Sequence, residues 1–172
     1  MHEIATPIKI SDVANFKVGD IVSLSGEIYC GRDAVLPRVV RMYHDGKLGD
    51  SGIHLDGSLI FHTAVSPAGT GPTSSNKLEI ESSIAPLSEA GVRIHLGKGI
   101  IGKATVDALD KYNSVFAVIP PVTALLNSNI LETNLVAFPE EGMEAFYMLK
   151  VHQLTMIIAA AHGQAIWSKD NI

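Results

Sequence analysis

The feature that most limits how this chain can fold is a break between two kinds of pattern. An apolar run, Leu59-Ile60-Phe61-His62-Thr63-Ala64-Val65, has the length and composition of a buried strand. It leads into Ala68-Gly69-Thr70-Gly71-Pro72-Thr73-Ser74-Ser75-Asn76-Lys77, where glycine and proline forbid regular structure. The chain must turn there. Four hydroxyls, an amide and a lysine ammonium fall between Thr70 and Lys77. Exposed backbone N–H groups, side-chain donors and one cation are the means of holding a small anion. An ordinary Ser/Gly connection has the same composition, so weight comes from repetition.

Two further junctions of this kind occur. Ile21–Cys30 reads as a strand, with Val22, Leu24 and Ile28 on its apolar side and a bulge at Gly26. Gly31-Arg32-Asp33 follows at once, then a helical pattern from Ala34 to Tyr43, with Asp33 as N-cap and Pro37 in the first turn. Val92–Leu96 reads as a short strand, Gly97-Lys98-Gly99 as the turn, and Gly102–Tyr112 as an amphipathic helix. Arg32 and Lys98 thus each sit between a strand and a helix, where backbone N–H groups favour an anion. Each equally suits an exposed side chain at a tight turn. The phosphate-binding loop pattern with Lys before Ser or Thr is missing, so a nucleoside triphosphate is not expected.

Elsewhere the pattern predicts an edge strand over 4–10, a short helical turn near 11–13 and a loop over 45–58. After the long polar stretch it predicts a short strand or turn at Leu78–Glu81. A short helix at Ile84–Glu89 follows, with Ser83 as N-cap and Gly91 as its stop. Strands follow at Ser114–Ile119 and Asn134–Phe138, with a short helix at Val122–Leu126 between them. A helix is expected over Gly142–Val151, opened by Pro139-Glu140-Glu141. A last strand at Thr155–Ala160 and an edge strand at Gln164–Trp167 complete the chain. His62 reads as a hydrogen-bonded core histidine, His54 as a surface one and Cys30 as a small buried residue.

Strands alternating with helices give an α/β or mixed α+β class, expected as one domain over 1–172. With 172 residues, 47% of them apolar, a sizeable core is available, and a net charge of −5 argues against general nucleic-acid binding. One cysteine makes neither an internal disulfide nor a Cys-rich metal site, and suits a reducing, cytoplasmic setting. The N-terminus lacks the pattern of a signal peptide. In open α/β sheets, sites gather at the carboxyl ends of strands. Arg32, Thr73 with Lys77, and Lys98 would then converge on a small polyanion, one cation per carboxylate of a dicarboxylate. Any cofactor would come from another chain.

Taken in order, these segments carry a resemblance: Val18-Gly19-Asp20-Ile21-Val22, Ser25-Gly26-Glu27-Ile28-Tyr29, Arg32-Asp33-Ala34, Gly71-Pro72-Thr73-Ser74-Ser75, Gly97-Lys98-Gly99, and Ala137 to Ala145. The chain resembles the β subunit of two-subunit class I fumarate hydratases and L(+)-tartrate dehydratases, and the C-terminal domain of single-chain class I fumarases. That resemblance implies a swivelling β/β/α fold. It also implies an α subunit carrying a [4Fe-4S] cluster on three cysteines, whose open iron acts as a Lewis acid. The reaction would interconvert a C4 2-hydroxy dicarboxylate and its dehydrated product: fumarate and malate first, tartrate to oxaloacetate second.

Position by position, Thr73 matches the base for the carbon-bound proton, and Arg32 and Lys98 match carboxylate binders. Ser74 lies in the same motif and is expected to bind substrate. Lys77 stands where the family has arginine, which keeps charge but loses the bidentate fork. Leu36 stands where the family often has histidine. A neutral threonine needs a dry, cationic surround to act as a base. Lys77 and Leu36 also leave room for a second reading, a non-catalytic dicarboxylate-binding or scaffold subunit.

Overall fold

The computed structural model describes residues 1–66, 69–70, 77–120 and 128–166, with backbone alone at 66, 69–70 and 77–80. Its first strong element is β2 (Ile21–Cys30), bounded as the pattern predicts. On one side β2 pairs in parallel with β1 (His2–Ala5) and with β3 (Leu59–Phe61). Strand β3 pairs in parallel with β6 (Ile94–Gly97), and β6 with β7 (Val115–Val118). The helices α2 (Leu36–His44), α3 (Lys77–Glu89) and α4 (Lys103–Lys111) connect these strands. A short helix α1 (Ile10–Ala14) lies between β1 and β2, and a two-stranded β4 (Val65–Ser66)/β5 (Gly69–Thr70) ribbon follows β3.

The remaining sheet is antiparallel. Strand β8 (Ile130–Ala137) leads through a 3₁₀ segment, Pro139–Glu144, into the long β9 (Phe146–Ala161) and the short β10 (Gln164–Ala165). One edge of β9 pairs with β2 from Cys30↔Tyr147 to Ile21↔Ile157. Its other edge pairs first with β8 and then with β7. The circuit β2–β3–β6–β7–β9–β2 therefore turns an eight-stranded sheet into a partly closed barrel within a mixed α+β fold.

Alternation along the strands sorts the core. Leu24, Ile28, Phe61, Leu96, Leu149 and Met156 fill the barrel interior. Tyr29, Ile60 and Phe146 face outward under α2 and α3, against Val39, Leu55 and Leu87. Phe116 and Ala160 pack under α4 with Ile101, Val106 and Leu109.

Residues 142–151 correct the helix expected there. Gly142 has φ 59° and ψ −121°, Ala145 is extended, and a strand follows. The apolar residues meet a strand period as well as a helical one: Leu149 and Val151 point into the barrel while Phe146 and Met148 point out. Pairing with β2 settled the matter. Helix α3 is a second correction. It runs unbroken from Lys77 through Pro86, so Leu78–Glu81 is helical and Ser83 is a buried helical residue rather than a cap. Pro86 removes one helical hydrogen bond near the C-terminal end, and Ile84 and Leu87, both fully buried, hold the helix to the sheet. Thirdly, Asp33 does not cap α2: Val35 occupies the cap, and no side chain bonds there. Val122–Leu126, Trp167 and most of the loop around Thr73 lie outside the described residues.

The bulge expected at Gly26 falls at that register, but the extra residue is in β9. Leu24 pairs with Leu154 and Gly26 with Val151, so His152 and Gln153 oppose Ser25 alone. Gln153 takes φ 52°, its N–H bonds Ser25 Oγ at 2.9 Å, and the inward face of β9 switches from odd to even positions. Gly26 is required for another reason: it has φ 121°, and a Cβ there would collide with Thr6 Oγ1. Among the described residues no helix is long and apolar enough to cross a membrane.

Gly91 stops the chain after α3 with φ 113°, and a Cβ there would stand 2.7 Å from Asp56 Cα. Gly46 also has positive φ, at 68°, but open space around it. Gly91→Ala is expected to lower unfolding free energy by about 3 kcal/mol, and Gly46→Ala by only about 1 kcal/mol. Denaturant midpoints of the two variants check the difference.

Candidate functional site

The strand register places the Arg32 and Lys98 junctions at one rim. Cys30, Phe61, Leu96 and Ala117 stand side by side across four parallel strands. Arg32 lies two residues past this row after β2, and Lys98 two residues past it after β6. The chain toward Thr73 leaves from β3 between them. With strands about 4.8 Å apart, the exits of β2 and β6 are separated by about 10 Å, a span that suits a small molecule.

Arg32 holds the turn with its backbone and an ion pair with its side chain. Its carbonyl accepts the first N–H groups of α2, from Val35 at 3.0 Å and Leu36 at 2.9 Å. Its side chain is 19% exposed, so the solvent-exposed alternative is set aside. Nε donates to Glu144 Oε1 at 2.8 Å, and Nη2 donates to the same oxygen. Asp33 Oδ1 stands 3.6 Å from Nε, buried and with no hydrogen bond of its own. The guanidinium therefore sits between two carboxylates.

Lys98 is exposed at the rim. Its turn is tightly made. Gly99 takes φ 92°, and a Cβ on Gly97 would press on the Phe116 ring at 3.3 Å. From α3, Glu81 Oε1 accepts the N–H of Gly102 at 2.6 Å, at the start of α4. One carboxylate thus ties the helix that begins at Lys77 to the segment that carries Lys98. Lys77 is the first residue of α3; its side chain, with Thr73 and Ser74, lies outside the described residues.

Behind the rim runs a buried polar chain. Ser88 Oγ lies 2.8 Å from His95 Nε2, and His95 Nδ1 lies 3.0 Å from His62 Nε2. His62 is the bonded core histidine expected from its strand, and His54 is exposed. Cys30 is fully buried, its thiol donates to Thr63 O at 3.2 Å, and burial pushes its pKa far up. One cysteine by itself does not supply the several thiolates that an iron–sulfur cluster takes from its protein. No group of three or more metal-ligating side chains occurs among the described residues.

Sequence reasoning missed Glu144, because it fell inside the helix expected over Gly142–Val151, opened by Pro139-Glu140-Glu141. It also missed the His95–Ser88 contact, which needs α3 laid on the sheet. A carboxylate three residues after Glu141, in a segment followed by apolar alternation, was the available signal.

Comparison with known proteins agrees with this architecture. The family model described as Fumarase C-terminus matches residues 3–170, and the chain belongs to that family. It is 26% identical over 174 residues to the L(+)-tartrate dehydratase subunit beta of Escherichia coli strain K12, covering 93% of this chain and 83% of that one. A Methanocaldococcus jannaschii protein named "Putative L(+)-tartrate dehydratase subunit beta" is 29% identical, over 93% of this chain and 88% of its own. A Geobacillus stearothermophilus protein named "Putative fumarate hydratase class I" is 28% identical over 93% of this chain but only 32% of its own length.

The histidine pair carries a pH signature. Burial lowers the pKa of His62 to about 4 and that of His95 well below 6.5, so both are neutral in the folded protein. The unfolded chain binds protons on them below about pH 6.5, and the folded one does not. Their contribution to stability is complete above that pH and is lost as pH falls toward 4. A His62→Gln/His95→Gln double variant is expected to show a shallower loss of unfolding free energy between pH 6.5 and 4. Urea titrations at stepped pH measure the slope.

Proposed function

We propose that the chain is the β subunit of an iron–sulfur hydro-lyase acting on C4 2-hydroxy dicarboxylates. The reading rests on one observation above the others. In a chain of the Fumarase C-terminus family, the junctions bearing Arg32 and Lys98 leave the parallel strands on either side of β3 at the same rim, flanking the exit toward Thr73. The names of the relatives supply the reaction class and the word subunit.

In this reading Arg32 and Lys98 each take a carboxylate of the substrate, with Lys77 and Ser74 beside them. Thr73 removes the proton from the carbon next to the carboxylate, and the surrounding cations stabilise the charge that develops on that carboxylate. The buried outward face of β3 and β6 under α3 keeps water from the back of the site. The chain itself has one buried, bonded cysteine, so a [4Fe-4S] cluster would be held by a partner α subunit. There it would supply Lewis acidity toward the substrate hydroxyl. The setting is taken as cytoplasmic. Fumarate and malate are the first substrates to try, and tartrate the second.

The test is coexpression with a candidate α subunit that carries three suitable cysteines, followed by anaerobic purification and assay with fumarate, L-malate and L(+)-tartrate. Activity is expected from the pair and not from either chain alone. Thr73→Ala is expected to lower kcat by about 10³-fold while the pair still assembles. A normal rate in that variant removes Thr73 from the mechanism. Failure of the wild-type pair on all three substrates rejects the reading.

A further inference from the structure

We propose that a cleft at the opposite end of β3 from the rim binds a small organic cation, a protonated amine carried on an apolar body; the assignment is independent of the hydro-lyase reading. The cleft follows from strand pairing. Strand β1 covers one edge of β2 as far as Ser25, and β3 covers that edge only from Tyr29. Residues 26–28 are left to the turn after β1. There Thr6 Oγ1 accepts the N–H of Glu27 at 2.9 Å, and the N–H of Ile8 donates to Gly57 O at 2.7 Å. The cleft so enclosed has a volume of about 640 Å³, within the range of small-molecule sites.

Its lining divides into an apolar floor and an acidic mouth. Pro7, Tyr29 and Met148 supply apolar surface, and an aromatic ring and a thioether both suit a flat guest. Glu27 and Asp56 are exposed carboxylates from two walls, β2 and the 45–58 loop, and among the described residues no lysine or arginine lines the cleft. Glu27 shares the outward face of β2 with Tyr29. Burial raises the pKa of Tyr29 and the Glu27 charge adds to the rise, so the phenol stays neutral with the carboxylate close by. Tyr29 Oη accepts the N–H of His54 at 2.7 Å, which fixes it in the wall. Ser58, two residues before Ile60 and so on the same outward face, has a buried hydroxyl with no hydrogen-bond partner, a polar group that the fold itself leaves unused. Two cations approach without neutralising the mouth. Lys150 stands opposite Glu27 on β9, but no ion pair joins them. Arg93 Nη2 lies 3.8 Å from Asp56 Oδ1, while Nη1 donates to the carbonyls of Tyr112 and Asn113. Glu27, His54 and Asp56 do not converge as a set of metal ligands. Charge and surface together therefore call for an organic cation and not a bare metal ion.

Titration of the full 172-residue chain with benzylamine, followed by the amide signals in NMR spectra, tests the site. Benzylamine is expected to bind with a Kd below about 1 mM and to shift the signals of Glu27, Tyr29, His54 and Gly57, leaving those of Gly97–Gly102 in place. Benzyl alcohol has the same shape without the charge and is expected to bind about tenfold more weakly. Glu27→Gln is expected to weaken benzylamine about tenfold, and Asp56→Asn, whose carboxylate has Arg93 beside it, about threefold. Asp107→Asn, which neutralises an exposed carboxylate on α4, is expected to change nothing. Nα-acetyl-lysine amide stands for a lysine of a protein partner: it carries the ammonium without the ring and is expected to bind more weakly than benzylamine. Benzyl alcohol binding as tightly as benzylamine, unchanged affinity in Glu27→Gln, shifts centred away from the cleft, or tighter binding of the lysine amide each overturns the proposal. So does an absence of shifts at about 10 mM benzylamine.

Discussion

A single long strand must satisfy two neighbours at once, and the rim that carries Arg32 and Lys98 exists because it does. The parallel strands β2, β3, β6 and β7 would by themselves leave two open edges, each a row of unpaired backbone groups. Strand β9 covers both, lying antiparallel to β2 over almost its whole length and to β7 near its end. It can serve both because the bulge at His152–Gln153 moves its inward side chains from one parity to the other. Leu149 and Val151 then fill the same interior as Leu154, Met156 and Ile158. The Ser25 hydroxyl supplies the partner that the N–H of Gln153 lacks in the ladder.

That closure has a consequence at the site. The segment feeding β9 begins at Pro139 and must pass the start of α2, because Phe146 stacks on Tyr29 at 5.0 Å between ring centres. The acidic side chains of this segment therefore meet the two arginines of the α2 region: Arg38 with Glu140 and Glu141, Arg32 with Glu144. The electrostatics of the rim differ from a plain pair of cations as a result. Arg32 carries its own counter-charge, while Lys98 stands exposed at the end of a tight turn.

Several elements were legible because local chemistry leaves few options. Ile21–Cys30 alternates and ends at a glycine, and it is a strand within those bounds. Gly102 and Tyr112 flank α4 as caps of the amphipathic pattern between them. Gly91 ends its helix with a φ that other residues resist. The misreadings share a cause. Residues 142–151 fit two periods, and only the neighbour β2 discriminates between them. Pro86 argues locally for a helix start, but a helix docked by Ile84 and Leu87 tolerates the lost bond. Asp33 has the composition of a cap, yet its carboxylate turns toward Arg32. In the first two cases a long-range contact, and in the third a contact with the adjacent residue, outweighed a preference worth about 1 kcal/mol.

The amino-acid order alone determined the class of fold, the three glycine-bearing junctions and the cations placed at two of them. These follow from period and from backbone freedom, which act over a few neighbouring residues. Tertiary structure alone decided that the Arg32 and Lys98 junctions share a rim, that β9 is a strand, that His62 and His95 join Ser88, and that Arg32 faces Glu144. Those outcomes depend on pairing between segments far apart in sequence, where the free energy of burial and of satisfied hydrogen bonds is settled only once the chain has closed on itself.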